Sequence, residues 1–171
     1  QKVIEESPAI LLNDETRAKL HDVAVKATKY LKYEGAGTFE FLADDKQNIY
    51  FMEMNTRLQV EHPVSEMVSG IDIVELMIKV AEGEKVPSQE SIKFKGHAIE
   101  CRITAEDPNS FLPSPGKVTQ WMVPGGRNVR VDSHVYTNYV VPPYYDSMIG
   151  KLIVWGRDRN KAINIMKRAL A

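Results

Sequence analysis

The sequence has little cysteine and no long apolar run. Cys101 is its one cysteine among 171 residues, which excludes both an internal disulfide and a multi-cysteine zinc site. No apolar stretch approaches the roughly 18 residues that a membrane-spanning helix needs. The first residues also lack the apolar core of a signal peptide. These absences favour a reducing compartment, and we expect a cytoplasmic protein with no membrane contact.

An excess of charge of either sign is also missing. Lys and Arg number 22 against 23 Asp and Glu, which gives a formal net charge of −1. No overall positive field would attract nucleic acid, so we expect no nucleic-acid partner and only local binding of anions. With 43% hydrophobic and 26% charged residues, the composition is that of a globular domain and not of a disordered chain.

Helix and strand signals follow one another in two blocks. The first block predicts a helix that Asn13 or Asp14 caps and Gly35 stops, a hairpin of 37–43 with 49–55, and helices over 63–69 and 73–82. The second block predicts strands over 98–104, 117–123, 128–132 and 152–155, and then a helix that Asp158 caps. Helices beside runs of strands predict an α+β fold. We place the boundary between residues 1–83 and 84–171, and the patterns at both ends lead us to expect part of a larger protein.

Two glutamates of the predicted hairpin are candidate ligands for a metal ion. If Ala43 pairs with Tyr50, Glu40 lies opposite or nearly opposite Glu53. Like charges across a strand pair are destabilising, so such a pair needs a counter-charge. Carboxylate oxygens favour Mg²⁺ or Mn²⁺ over zinc, which predicts a site for a nucleotide with its metal ion. The alternative is two solvated glutamates on an exposed face.

Polar residues alternate from Glu53 to Glu61. They are Glu53, Asn55, Arg57, Gln59 and Glu61, and an extended chain would place all five on one side. The set offers an amide, a planar guanidinium suited to a carboxylate or bicarbonate, and a carboxylate that could accept a proton. It predicts a site for a small oxyanion, although a solvated edge strand would show a similar alternation.

The motifs of this region resemble those of biotin carboxylase, an ATP-grasp enzyme. The resemblance rests on GAGTFEF at 35–41 and FMEMNTRLQVEHPVSE at 51–66, and it continues at 96–103, 105–108, 111–116 and 142–151. Carbamoyl-phosphate synthetases share the Glu-x-Asn-x-Arg part alone, whereas the following Gln-Val-Glu-His-Pro-Val is specific to biotin-dependent carboxylases. The resemblance implies the C-terminal part of an ATP-grasp domain over 1–83 and a mostly β biotin carboxylase C-terminal domain over 84–171.

The resemblance also implies a reaction. Biotin carboxylases use ATP to activate bicarbonate as carboxyphosphate, and they carboxylate biotin that is attached to a carrier protein or domain. By this likeness Glu40, Glu53 and Asn55 hold Mg²⁺ or Mn²⁺ ions at the ATP phosphates, and Lys2 lies near the γ-phosphate and bicarbonate. By the same likeness, bicarbonate is bound by Arg57, Gln59 and the backbone N–H of Val60, and Glu61 is the base that removes its proton. Arg102 is likewise expected to stabilise the oxygen of deprotonated biotin.

Partners follow from the same likeness. We expect a biotin carboxyl carrier and a carboxyltransferase subunit as partners. We also expect a homodimer, although Arg127 stands where bacterial relatives commonly have Phe, while Arg130 matches. We expect acetyl-CoA as final acceptor, with pyruvate and propionyl-CoA as alternatives. The phosphate lid and adenine hinge of the family precede Gln1, so we expect little or no turnover by this chain alone.

Three alternatives remain open from the sequence. The chain could dock a carrier without catalysing anything, or it could belong to an ATP-grasp ligase that carboxylates an amino group. Arg102 could be a structural residue paired with Glu100 or Glu106. His97 is expected to be structural, and Cys101 is expected to be a small core residue.

Overall fold

The computed structural model describes residues 2–171, which form two compact units. The hairpin unit comprises Pro8–Phe94, and the sheet unit comprises residues 2–7 together with Lys95–Ala171. No helix among residues 2–171 is long and apolar enough to cross a membrane.

The hairpin unit contains three α-helices and one antiparallel strand pair. They are α1 (Asp14–Leu31), β2 (Thr38–Ala43), β3 (Ile49–Asn55), α2 (His62–Ser69) and α3 (Ile73–Ala81), followed by a 3₁₀ turn at Gln89–Ser91. The side chain of Asn13 accepts a hydrogen bond from Thr16 N at 2.8 Å, and Asp72 caps Glu75 N at 2.8 Å. These bonds satisfy N–H groups that the first turn leaves unpaired, and they confirm the predicted starts of α1 and α3.

The predicted end of α1 at Gly35 is wrong. The helix ends at Leu31, because Lys32 adopts a left-handed conformation with φ 51°. Lys32 N then donates to Lys29 O at 3.2 Å, and Tyr33 N donates to Thr28 O at 3.1 Å. These bonds satisfy the last helical carbonyls three residues before the glycine that was predicted to stop the helix.

The sheet unit is built on a four-stranded antiparallel sheet. Its strands are β1 (Ile4–Ser7), β4 (His97–Thr104), β6 (Val129–Ser133) and β8 (Met148–Gly156), in the spatial order β1-β4-β8-β6. Two further strands of two residues each, β5 (Gly116–Lys117) and β7 (Val140–Val141), form an antiparallel pair. The last element is helix α4 (Arg159–Leu170). Together with the hairpin unit, this is the predicted α+β class.

The predicted strand over 117–123 is mostly absent. Its only strand residue is Lys117, since β5 covers Gly116–Lys117. Further along, Trp121 N donates to the side-chain oxygen of Thr137 at 3.2 Å. A backbone N–H that bonds to a side chain is not part of a strand ladder, so the apolar pattern here does not produce a sheet.

The core of the sheet unit lies between one sheet face and α4. Its buried residues are Ile99, Cys101, Leu152, Val154, Ala162, Ile165 and Met166. Because side chains alternate across a strand, the other sheet face carries the intervening residues of β4, β6 and β8. Those residues include several charged ones, and one of them is Arg102.

Candidate active site

Glu40 and Glu53 are paired across the hairpin. Glu40 of β2 stands opposite Glu53 of β3, and a register shift lies between Glu40 and Phe41. Ala43 pairs with Ile49 and not with Tyr50, so the predicted register at the loop is wrong by one residue. The predicted facing of the two glutamates is nevertheless confirmed.

A bulge at Met52 explains both results. Phe41 pairs with Phe51, whereas Glu40 pairs with Glu53, so Met52 is the extra residue on β3. Without the bulge, residues 51 and 53 would share one face. With it, the Phe51 ring lies 5.8 Å from the Phe41 ring, while Glu53 joins Glu40 on the other face.

Asn55 lies between the two carboxylates. Its amide nitrogen donates to Glu53 Oε1 at 3.0 Å and to Glu40 Oε1 at 3.2 Å. The amide therefore offsets part of the repulsion between the two like charges. Its oxygen accepts a hydrogen bond from Arg57 Nη2 at 3.3 Å, which connects a guanidinium to the pair.

Gln59 completes this network from a different direction. Its Nε2 donates to Glu40 Oε1 at 2.8 Å, and the residue is buried. The chain is not extended over 56–61 as predicted, since β3 ends at Asn55 and a turn leads into α2. The alternation therefore gives the right residues for the wrong reason, because the turn and not a continued strand brings Gln59 back to Glu40.

The Gln59 side chain also presents a buried acceptor. Its Oε1 atom has no hydrogen-bond partner among residues 2–171. A buried oxygen without a donor costs about 1–3 kcal/mol. The site therefore suits a ligand that carries a hydrogen-bond donor.

Val60 and Glu61 lie at the turn that starts α2. Glu61 is the N-cap residue, with φ −80° and ψ 4°, and its side chain makes no capping bond. Its carbonyl accepts a hydrogen bond from Val64 N at 3.3 Å. The carboxylate of Glu61 is half-buried and is not used to hold the helix end.

Arg102 and Lys2 belong to the sheet unit. Arg102 Nε donates to Glu5 Oε1 at 2.6 Å, and Nη2 of the same side chain lies 2.5 Å from that oxygen. Arg102 N also donates to Val3 O at 3.0 Å. Val3, which directly follows Lys2, is thus hydrogen-bonded to β4, the strand that carries Arg102. The sequence did not single out Glu5, because its pairing depends on β1 joining β4 across about ninety residues of chain.

Charged residues continue along this sheet face. Lys151 of β8 pairs in register with Arg102 on one side and with Asp132 of β6 on the other. Asp132 accepts a hydrogen bond from Arg130 Nε at 2.8 Å and lies 3.7 Å from Lys151 Nζ. Arg102, Lys151 and Asp132 thus form one row of charged residues across β4, β8 and β6.

His97 and Cys101 have the structural surroundings predicted for them. The buried His97 bonds through Nε2 to Glu6 Oε2 at 2.7 Å. Hydrogen bonding from Arg159 is the main cause that lowers the pKa of Glu6, with His97 contributing. Burial, aided by the charges of Glu5 and Glu100, raises the pKa of the Cys101 thiol, which disfavours the reactive thiolate.

Comparison with known families accounts for nearly the whole chain. Residues 1–89 match the model described as carbamoyl-phosphate synthase L chain, ATP binding domain. Residues 100–171 match the model described as biotin carboxylase C-terminal domain. The chain belongs to the biotin carboxylase family.

Solved and curated members of the family are close to this chain. Biotin carboxylase from Campylobacter jejuni is 70% identical with a TM-score of 0.97, over 99% of this chain and 38% of that one. The biotin carboxylase domain of 2-oxoglutarate carboxylase from Hydrogenobacter thermophilus, solved as a dimer with MgADP, ADP and bicarbonate, is 50% identical with a TM-score of 0.97, over 99% of this chain and 38% of that one. A pyruvate carboxylase subunit from Methanothermobacter thermautotrophicus is 56% identical over 100% of this chain and 35% of that protein. The chain thus spans less than two-fifths of each of these biotin carboxylase relatives.

Proposed function

We propose that this chain contributes to a biotin carboxylase that uses ATP and bicarbonate to carboxylate carrier-bound biotin through carboxyphosphate. The observation that carries the proposal is the hydrogen-bonded group of Glu40, Glu53, Asn55 and Gln59, with Arg57 attached. Membership of the family supports it further. Like charges that face each other across two strands are destabilising, so their pairing here favours a binding role over a purely structural one.

The donor set suits magnesium. Glu40 and Glu53 supply adjacent carboxylate oxygens, and Asn55 supplies an amide oxygen once its amide group turns over. No group of three or more His, Cys, Asp or Glu side chains that could hold a metal lies within residues 2–171. A site with two carboxylates is still typical of Mg²⁺, because substrate phosphates and water supply its remaining ligands. Magnesium, or manganese in its place, would neutralise charge on the ATP phosphates during phosphoryl transfer.

Bicarbonate binding is assigned to the turn before α2. The guanidinium of Arg57 offers a planar fork for two bicarbonate oxygens. The unpartnered Oε1 of Gln59 would accept a hydrogen bond from the bicarbonate hydroxyl as the anion binds, and the N–H of Val60 would donate to an oxygen. The single bicarbonate proton would then pass from that hydroxyl to Glu61, and the freed oxygen would attack the γ-phosphate with ADP as the leaving group. Lys2 is assigned beside the γ-phosphate.

Arg102 is assigned to biotin. The N–H of the biotin ureido group is a very weak acid, and its deprotonation places negative charge on the ureido oxygen. A fixed guanidinium at that oxygen stabilises the developing charge. The Glu5 ion pair supports this assignment, because it holds the Arg102 side chain in one orientation.

The final acceptor belongs to a carboxyltransferase and not to this chain. We propose acetyl-CoA, with pyruvate and propionyl-CoA as alternatives; the likeness to a pyruvate carboxylase subunit favours pyruvate among the latter. A cytoplasmic location, a biotin carrier partner and a homodimer complete the proposal, and the dimeric 2-oxoglutarate carboxylase domain supports the last. We propose little or no turnover for these 171 residues alone.

A chimera tests the proposal directly. Residues 2–171 replace the matching part of the Campylobacter jejuni enzyme, and bicarbonate-dependent ATP cleavage is measured with and without free biotin. We expect biotin to stimulate cleavage. Arg102→Ser should remove mainly that stimulation, whereas Glu61→Gln should remove bicarbonate-dependent cleavage altogether, and Glu84→Gln at an exposed position is the control for charge loss.

Other outcomes would reject the proposal. ATP cleavage that does not respond to biotin would assign the chain to another ATP-grasp ligase and return Arg102 to a structural role. A folded chimera that binds a biotinylated carrier without cleaving ATP would favour the non-catalytic docking role. The Arg102→Lys variant separates a biotin-binding role of Arg102 from a structural one. It retains the positive charge, so it should keep part of the biotin response that Arg102→Ser loses.

A further inference from the structure

His62 directly follows the turn assigned to bicarbonate, and none of the roles proposed above belongs to it. Its ring nitrogen Nδ1 lies 2.7 Å from the carbonyl oxygen of Gln59. A carbonyl oxygen can only accept hydrogen bonds, so Nδ1 carries the hydrogen and donates it. The side chain of His62 is thus bonded to the backbone of the turn that it follows.

A second hydrogen bond from the same residue reaches the same oxygen. The backbone N–H of His62 donates to Gln59 O at 3.3 Å, which is longer than usual for such a bond. Any residue except proline could make that backbone bond at position 62, whereas the bond at 2.7 Å requires the imidazole ring. The ring therefore supplies the closer of the two contacts that hold this carbonyl.

The carbonyl of Gln59 and the N–H of Val60 belong to one planar peptide group. In a trans peptide these two bonds point in opposite directions, so a contact that fixes the oxygen also fixes the direction of the N–H. A hydrogen bond to the carbonyl also polarises the peptide group, which makes its N–H a stronger donor. His62 thus acts on the N–H of Val60 from the far side of the peptide.

The surroundings of His62 make it a rigid support. It begins α2, and the two residues that follow it, Pro63 and Val64, are buried. Pro63 also restricts the backbone conformations that are open to His62. On the other side of the turn, the side chain of Gln59 donates to Glu40 Oε1 at 2.8 Å. Gln59 is therefore held both through its carbonyl and through its side chain.

We propose that His62 is a positioning residue, which orients the N–H of Val60 toward bicarbonate by holding the carbonyl of Gln59. The inference rests on the proposed function, because it takes that N–H as a bicarbonate donor. In this arrangement His62 bonds to the turn and not to the anion, it transfers no proton, and Glu61 remains the base. Hydrogen bonds that lock the groups around a binding site keep the site in its productive geometry.

Two substitutions of His62 separate the hydrogen bond from the other properties of the side chain. The amide nitrogen of asparagine can lie close to the place of Nδ1, whereas that of glutamine reaches toward the place of Nε2. His62→Asn should therefore keep the bond to Gln59 O, and His62→Gln should lose it. His21→Gln, at an exposed position of α1, is the control for the loss of a histidine. Circular dichroism shows that each variant is folded.

Steady-state kinetics of the chimera with the Campylobacter jejuni enzyme give kcat and the KM values of bicarbonate and ATP. We expect His62→Gln to raise the bicarbonate KM about five- to tenfold, because one hydrogen bond that orients the anion donor is lost. The ATP KM of this variant, and both KM values of His62→Asn and His21→Gln, should stay within about twofold of the parent. A merely structural role of His62 would change the two KM values together.

Nitrogen-15 spectra of the 171-residue chain test the bond without any reaction. Labelled histidine shows which ring nitrogen carries the hydrogen, and the signal of His62 is assigned by its absence from His62→Asn. At about pH 8, where histidine is mostly neutral, the hydrogen should lie on Nδ1. A bare Nδ1 would overturn the proposal whether or not the chain takes part in carboxylation.

The kinetic outcomes separate failure of this inference from failure of the proposed function. Equal bicarbonate KM values in the parent chimera, His62→Gln and His62→Asn would overturn the inference and leave the proposed function intact. An equal rise in both His62 variants would also overturn it, since a donor at the place of Nδ1 would then make no difference. A parent chimera without bicarbonate-dependent ATP cleavage would instead reject the proposed function, and the inference with it.

Discussion

Glu40 and Glu53 lie directly opposite each other across a hairpin, although an ideal ladder from the pairing at its loop would not place them so. Ala43 pairs with Ile49, and the bulge at Met52 moves the register by one residue before the glutamates are reached. A bulge of one residue changes the face on which every later side chain of that strand lies. The bulge is therefore what joins the two carboxylates.

The charge of this pair predicts opposite effects on stability and metal binding. Glu53→Gln should raise the free energy of unfolding of the metal-free chain by about 0.5 kcal/mol, because it removes a like-charge pair across the strands. The same change should weaken Mn²⁺ binding about tenfold or more, because it removes one of the two proposed carboxylate ligands. Urea denaturation and Mn²⁺ titration by electron paramagnetic resonance measure the two effects.

Asp45→Asn is the control for that experiment. It removes one negative charge from the loop of the same hairpin, away from the pair, and should change neither quantity appreciably. A Glu53→Gln variant whose stability without metal and whose Mn²⁺ affinity both match those of the parent would show that the two glutamates are merely solvated.

Acid should weaken the sheet unit through Glu6. Arg159 is the main cause that lowers the pKa of this carboxyl in the folded state, with His97 contributing. A carboxyl with a lowered folded-state pKa stabilises the fold above its unfolded pKa, and this contribution is lost as the pH falls through the folded-state value. The stability advantage of the parent over Glu6→Gln should therefore be full at about pH 6 and should shrink toward about pH 3.

Urea midpoints measured across that pH range test the prediction. Glu84→Gln, at an exposed position, should show a small difference from the parent that does not change with pH. If the gap between the parent and Glu6→Gln widened as the pH fell, the assigned sign would be incorrect.

Gly96 should be far less replaceable than Gly70. Both have φ of 71°, so alanine is strained by a similar amount at each, about 1 kcal/mol. At Gly70 an added Cβ meets nothing within 4 Å, whereas at Gly96 it would lie 2.4 Å from Gly156 O and 2.5 Å from the Trp155 ring. Gly96→Ala should therefore cost about 2 kcal/mol more than Gly70→Ala, and equal losses in thermal or urea unfolding would refute the close contact.

Cys101 should be unreactive in the folded chain. Burial raises the pKa of its thiol, and a protonated, covered sulfur is a poor nucleophile. Reaction with Ellman's reagent should be slow in buffer and should accelerate along the urea unfolding curve. A fast reaction with the native chain would contradict the buried position, and free cysteine under the same conditions is the control.

Local features were readable from the sequence. The starts of α1, α3 and α4 follow from Asn13, Asp72 and Asp158, whose side chains bond to N–H groups only three residues away. The hairpin strands follow from residue type and from the short polar loop between them. The motif around Glu53–Glu61 identified the family, because those residues are consecutive in the chain.

Features that join distant segments were not readable. The ion pair of Arg102 with Glu5 and the bond of His97 to Glu6 both require β1 to pair with β4. The return of Gln59 to Glu40 requires a turn where the alternation predicted a strand. In each case the partner is chosen by the packing of the sheet or the hairpin, which no local pattern encodes.

By itself, then, the sequence determined the α+β class, the capped helix starts, the family motif and the residue types of the candidate site. Only the tertiary structure decided which of those residues touch and where the bulge at Met52 lies. The physical reason is the distance along the chain between the residues that interact. Caps and turns form within a few residues of each other, whereas strand register and the meeting of distant charges depend on how whole elements pack.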